Sequence, residues 1–229
     1  MVHRAEESAD GRFARKSADM VATQLRRRGI TDRRVLDAMA KVPRERFVPR
    51  AQRPSAYDDR ALPIGEGQTI SQPYMVAAML QALRTGPELT ALEIGGGSGY
   101  QAALLGELCE RVWAVEIVEV LADRAGAVLA ELGYDNVEVV AGDGSLGLPE
   151  HAPYDRIIVA AGAPEVPEPL MEQLADGGRL VAPVGGRFSQ RLVVCVRRGA
   201  GVHHKDGMAC IFVPLVGEHG WRGTAGNGQ

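Results

Sequence analysis

The segment Leu92-Glu93-Ile94-Gly95-Gly96-Gly97-Ser98-Gly99-Tyr100 places alternating glycines directly after an apolar run. A strand that turns through such glycines into a helix brings main chain close to a ligand and aims the helix N-terminus at it. Glu116 follows at the end of the next apolar run, about twenty residues on, where an acid accepts hydrogen bonds from the two hydroxyls of a ribose. Its neighbour Ile117 joins the candidate binding set. Because Gly97-Ser98-Gly99-Tyr100-Gln101-Ala102 also satisfies the looser G-x-G-x-x-A form, pattern alone leaves a dinucleotide dehydrogenase open. Two acids favour S-adenosylmethionine. Glu93, just ahead of the glycines, would repel a pyrophosphate and attract a cationic aminoacyl group. Asp143-Gly144 offers a carboxylate and an amide to an adenine edge.

The elements that must position these residues read as alternating strands and helices. Strands are expected at residues 89–94, 111–116, 137–140, 156–160, 179–184 and 191–196, and helices at 98–108, 117–132 and 167–174. In the second of these helices Leu121, Ala125, Val128, Leu129 and Leu132 form one apolar stripe. Such alternation predicts an α/β, Rossmann-like fold: a mostly parallel sheet covered by helices on both faces. The short Gly-rich links between the last strands predict an antiparallel C-terminal end. Ahead of the sheet, Ser17 is expected to cap a helix over 18–28 and Thr31 or Asp32 a second bearing Val35, Leu36 and Met39. Residues 43–73 read as irregular, a length that points to function, and Pro73 opens a further helix to about residue 84. Residues 1–16 and 222–229 are expected to be flexible, flanking a single domain over 17–221. Within it, 17–85 form a helical, substrate-side extension and 86–221 the donor-binding sheet.

The chain has 229 residues, 45% hydrophobic and 24% charged, with a formal net charge of -3. That composition belongs to a packed globular domain and supplies no field for a polyanion or a membrane surface. The local arginines, from Arg26 to Arg34 and at Arg44, Arg46, Arg50 and Arg53, read as solvated helix faces. Cys109, Cys195 and Cys210 lack a paired spacing, so neither a disulfide framework nor a metal site is expected. His203-His204-Lys205-Asp206 reads as a solvated turn. With no apolar leader or membrane-length run, the expected location is the cytoplasm. Residues 154–164 carry no Asn/Asp-Pro-Pro-aromatic motif, which disfavours a nucleobase nitrogen as methyl acceptor, and no Walker loop, His-Glu-x-x-His or G-x-S-x-G is present.

Several blocks in one order resemble the protein-L-isoaspartate O-methyltransferase family, a set of class I methyltransferases, over roughly residues 20–221. They are Val42-Pro43-Arg44-Glu45-Arg46-Phe47-Val48-Pro49, Gly67-Gln68-Thr69-Ile70-Ser71-Gln72-Pro73, the glycine turn, Gly142-Asp143-Gly144, Ala152-Pro153-Tyr154-Asp155, Gly177-Gly178-Arg179-Leu180, Phe212-Val213-Pro214-Leu215 and Gly220-Trp221. The resemblance implies that Ser71 contacts the carboxylate to be methylated and that Gln68, Thr69 and Ile70 help wall the donor. It assigns donor binding to Glu93, Gly95, Gly97, Ser98, Gly99, Glu116, Asp143 and Gly144. The stretches holding Leu62, Pro63 and Ile64 and Val213, Pro214 and Leu215 resemble those of a peptide groove, and core burial explains their hydrophobicity equally well. Gly96 stands where relatives of this type usually carry Thr or Ser. The implied partners are isoaspartyl proteins and peptides, met by a monomer. The implied reaction is attack of an isoaspartyl carboxylate on the donor methyl, followed by collapse of the ester to a succinimide. An ionised carboxylate needs no general base. A dedicated enzyme for one peptide precursor and a non-catalytic donor-binding module are the alternatives.

Overall fold

The computed structural model describes residues 9–222, with side-chain surroundings from residue 11. Of the two tails expected to be flexible, 1–8 and 223–229 lie outside the described residues. From residue 9 that expectation is corrected, because helix α1 (Ala9–Asp19) occupies the stretch. It runs on through a π turn, Met20–Leu25, and a 3-10 turn, Arg26–Arg28, and stops at Gly29 in the left-handed region. Ser17 is therefore inside a helical run and caps nothing. Its buried hydroxyl donates instead to the Ala40 carbonyl at 3.1 Å, docking the run onto the end of α2 (Arg33–Lys41). Asp32 does cap α2, accepting from the amides of Arg34 and Val35, and Val35, Leu36 and Met39 are buried as their spacing requires.

The stretch read as irregular holds two 3-10 turns, Arg44–Phe47 and Arg50–Ser55, and a small antiparallel hairpin of β1 (Leu62–Gly65) and β2 (Gln68–Ile70). Gly65, Glu66 and Gly67 turn the hairpin at φ values of 98°, 52° and 69°, which two glycines make accessible. Directly after β2 comes α3 (Pro73–Leu83), with Pro73 in its first turn.

The main sheet has seven strands in the order β5-β4-β3-β6-β7-β8-β9. They are β3 (Thr90–Ile94), β4 (Arg111–Glu116), β5 (Val137–Ala141), β6 (Tyr154–Val159), β7 (Leu174–Gly186), β8 (Ser189–Arg198) and β9 (Gly201–Cys210). The first five are parallel neighbours, whereas β7, β8 and β9 pair antiparallel. Helices α4 (Tyr100–Leu108), α5 (Glu119–Glu131) and α6 (Glu168–Glu172) make the crossovers. Alternation along the strands divides the interior into two cores. Ala91, Ile158 and Val181 pack with Met39, Leu80 and Leu104 on one face. Leu92, Ile157 and Leu180 pack with Leu170 and Leu174 on the other. Strand β9 was not foreseen: His203, His204, Lys205 and Asp206 are paired to β8 at the sheet edge, where exposed charges discourage further strand addition. The expectation of a turn there is corrected.

Because β3 continues to β4 on one side and is flanked by β6 on the other, the strand order reverses at β3. Ligands of open α/β sheets bind in the crevice beyond the strand ends at such a point.

Candidate active site

At that point lies a cleft open to solvent. The glycine turn forms its floor. Gly95 and Gly97 have φ of 84° and 51°, a conformation side chains resist. The amides of Gly95 and Gly96 donate back to the Val115 carbonyl, and the Gly97 amide donates to Glu116 Oε2 at 2.8 Å. The other oxygen, Oε1, accepts from the Val118 amide at 2.9 Å. Each carboxylate oxygen has two acceptor positions, so Glu116 is fixed by backbone and still able to receive two hydroxyls. Ser98 Oγ accepts from the Tyr100 amide at the start of α4.

Glu93 sets the electrostatics. It is 1% exposed, lines the cleft, and its Oε2 has no partner. Burial pushes its pKa well above the ordinary carboxylate range; Glu116 adds to the rise and the facing Gln101 opposes it. Once ionised, a carboxylate so buried binds a cation strongly and rejects a pyrophosphate. The residues therefore fit S-adenosylmethionine, whose aminoacyl end is cationic, and fit a dinucleotide poorly.

Gln68, Thr69, Ile70 and Ser71 close the cleft from the hairpin side, facing Glu93, Gly95, Gly97, Ser98, Glu116, Ile117 and Gly144. Val213, Pro214 and Leu215 form a lip, pinned where the Gly162 amide donates to the Val213 carbonyl and the Leu215 amide to that of Gly162. Gly96 also lines the cleft, and a Cβ there would lie 3.4 Å from Ala114 Cβ, so sterics do not demand a glycine.

Five expected positions are not among the residues that line the cleft. Asp143 does not present its carboxylate to the cleft: one oxygen accepts from the amide and hydroxyl of Ser145, the other from the Glu218 amide at 2.8 Å. With Ser145 Oγ accepting from the His219 amide, Asp143 clasps the C-terminal segment that carries the lip. Gly99 stands behind the turn as the cap of α4, where a Cβ would meet Ala125 at 3.1 Å. Leu62 and Ile64 are core residues, and Ile64 Cδ1 supports Gly97 from beneath. Pro63 is exposed outside the cleft lining. Conversely, Tyr100, Gln101, Val76, Ala160, Ala161 and Val216 line the cleft without having been singled out. Ala160 and Ala161 had a usable signal, since they follow a strand flanking the switch point. Among the described residues no group of three or more His, Cys, Asp or Glu is placed to hold a metal ion, and no helix is long and apolar enough to cross a membrane.

A mostly parallel sheet, a glycine turn at its reversal point and an acid closing the next strand define a class I methyltransferase. Residues 15–220 match the family model described as protein-L-isoaspartate(D-aspartate) O-methyltransferase, and the chain belongs to that family. It is 56% identical over 194 residues to a protein-L-isoaspartate O-methyltransferase of Roseiflexus sp. (strain RS-1), covering 85% of this chain and 89% of that one. With the enzyme so named from Methanoculleus marisnigri the identity is 54% over 209 residues, 91% and 95% of the two chains. A solved protein-L-isoaspartate O-methyltransferase superposes with a TM-score of 0.80 at 29% identity, over 89% of this chain and 67% of that one. A Plasmodium falciparum structure described as a complex with S-adenosyl-L-homocysteine gives 0.75 at 26%, over 87% and 98%.

Glu93→Gln keeps the shape and removes the capacity to take a negative charge when a cation arrives. It is expected to weaken S-adenosylmethionine binding about tenfold or more while leaving the melting temperature equal or higher, because a partnerless buried carboxylate is costly; equal affinity by calorimetry would remove Glu93 from donor recognition. For Asp143, burial alone would raise the pKa, but the Glu218 amide, the Ser145 hydroxyl and amide and the His219 charge outweigh it and lower the value. Its contribution to stability is therefore present above the unfolded carboxylate pKa of about 3.9 and lost as pH falls through the depressed folded value. Asp143→Asn should melt lower than the parent at neutral pH, with the gap narrowing through that acid window; a gap independent of pH would show that the charge is not its source.

Proposed function

We propose that the chain transfers a methyl group from S-adenosylmethionine to the carboxylate of L-isoaspartyl residues in damaged proteins and peptides, opening repair through a succinimide. The observation that carries this reading is the single cleft shared by the partnerless Glu93 carboxylate and the Gln68–Ser71 segment. When bound, S-adenosylmethionine supplies an electrophilic methyl carbon on a positively charged sulfur. Glu93 faces the cationic end, and Glu116, held by two backbone amides, accepts from the ribose. At the hairpin side Ser71 donates its hydroxyl to the incoming carboxylate and turns it toward the donor. Val213 and Pro214, partly open to solvent at the lip, give the polypeptide an apolar edge. Asp143 holds the segment that carries that edge, and Asp143-Gly144 stands beside the donor's adenine.

The acceptor is ionised at neutral pH, so the chain need not remove a proton. The described histidines agree with this: His151 stacks on Trp113, His203 and His204 are on β9, His219 is on the clasped segment, and none lines the cleft. What remains for the protein is orientation and exclusion of water, effects that reach effective molarities of about 10⁵ M and above. One chain completes the cleft, which supports action as a monomer. All three cysteines are free and buried, which supports a reducing compartment, the cytoplasm.

The test uses methyl-labelled donor and two peptides that differ only in isoaspartate against aspartate. Label is expected in the isoaspartyl peptide alone; label in the aspartyl peptide, or in neither, overturns the reading. In the same assay Ser71→Ala should lower kcat/KM about tenfold or more and leave S-adenosylhomocysteine affinity nearly intact, and unchanged turnover would take Ser71 out of its role.

A further inference from the structure

Arg44 is 0% exposed, although its sequence neighbourhood reads as a solvated arginine-rich face. Its Nε donates to the Ala56 carbonyl and its Nη2 to the Ser71 carbonyl, both at 2.7 Å, and Nη1 has no partner. Among the described residues no carboxylate forms an ion pair with it, and the adjacent Glu45 is engaged by the Tyr57 hydroxyl. Burial pushes its pKa down, with Tyr100 and Tyr57 opposing. An apolar side chain of similar volume would fill this space without desolvating a charge. The guanidinium must therefore contribute something a methionine could not.

That contribution is its planar fork. Ala56 and Ser71 stand on either side of the β1–β2 hairpin, so one side chain closes the base of the excursion that carries Gln68, Thr69 and Ile70. The central carbon of the same guanidinium lies over the Tyr100 ring, 4.7 Å from its centroid. Tyr100 is the first residue of α4, directly after the glycine turn, and lines the cleft. Thus one buried cation touches both walls of the site, the acceptor segment through a carbonyl and the donor turn through a ring.

We propose that Arg44 is a positioning residue for methyl transfer, setting the Gln68–Ser71 segment against the glycine turn by clamping the hairpin base onto Tyr100. This rests on the reading that Ser71 meets the acceptor carboxylate. Displacement of reacting groups by about 1 Å can cost about 10²-fold in rate, so loosening the clamp acts on turnover more than on donor affinity.

The test compares Arg44→Lys, which keeps the charge but reaches at most one carbonyl, with Arg44→Met, which keeps the volume alone. For the isoaspartyl peptide, kcat should fall about tenfold or more in the lysine variant and further in the methionine variant, while S-adenosylhomocysteine affinity stays within about threefold. Amide exchange should quicken across residues 68–72 and not across 93–101. If melting shows the methionine variant unfolded, the lysine variant alone decides. Unchanged kcat in a folded variant, or donor affinity falling in step with turnover, overturns the proposal. Ser71→Ala run alongside separates the two readings: if it leaves turnover intact the acceptor assignment fails, and if it lowers turnover while Arg44→Lys does not, only the role of Arg44 fails.

Discussion

A buried carboxylate with an oxygen left unpaired is an expensive feature of a folded chain, and the arrangement around Glu93 follows from it. Glu93 lies on β3, the strand where the sheet order reverses, two residues before Gly95. A second acid, Glu116, closes the neighbouring strand, and its charge adds to the cost of ionising Glu93. The site separates them by function: Glu116 is satisfied by two amides, and Glu93 is left open toward the cleft. A ligand that brings positive charge to Glu93 and hydroxyls to Glu116 relieves both.

The opposite wall is built differently. The donor side rests on short-range features of the sheet, whereas the acceptor side is a three-residue strand and its continuation, held from behind by Arg44 and faced by a C-terminal lip. That lip is secured twice, to Gly162 after β6 and through the Asp143–Ser145 clasp at residues 218 and 219. Acceptor geometry thus depends on contacts between segments distant in the chain, and donor geometry on contacts between adjacent strands.

This division explains what was legible in the sequence. Strand and helix alternation, the antiparallel end of the sheet, the glycine turn and the two acids at strand ends are local patterns, and their structural meaning follows from φ preferences and strand ends. The β1–β2 hairpin and β9 escaped notice because one is short and glycine-bounded and the other is an edge strand of polar residues without apolar alternation. Ser17 carries a cap residue's chemistry, but α1 begins upstream and turns it toward Ala40. Arg44 was misplaced because it spends its polar atoms on carbonyls more than ten residues away, which residue type does not reveal.

The claim that most depends on Glu93 concerns the charge of what the cleft takes up, and calorimetric titration over a pH series, in buffers of differing ionisation enthalpy, measures it directly. In the free protein the raised pKa keeps the Glu93 proton bound to higher pH, and an incoming cation lowers that pKa, so binding in the intervening window must release a proton. S-adenosylmethionine is predicted to bind at one site per chain with that release, and NAD to give no binding. Uptake of NAD without S-adenosylmethionine, or donor binding with no proton exchanged at any pH, would contradict the account.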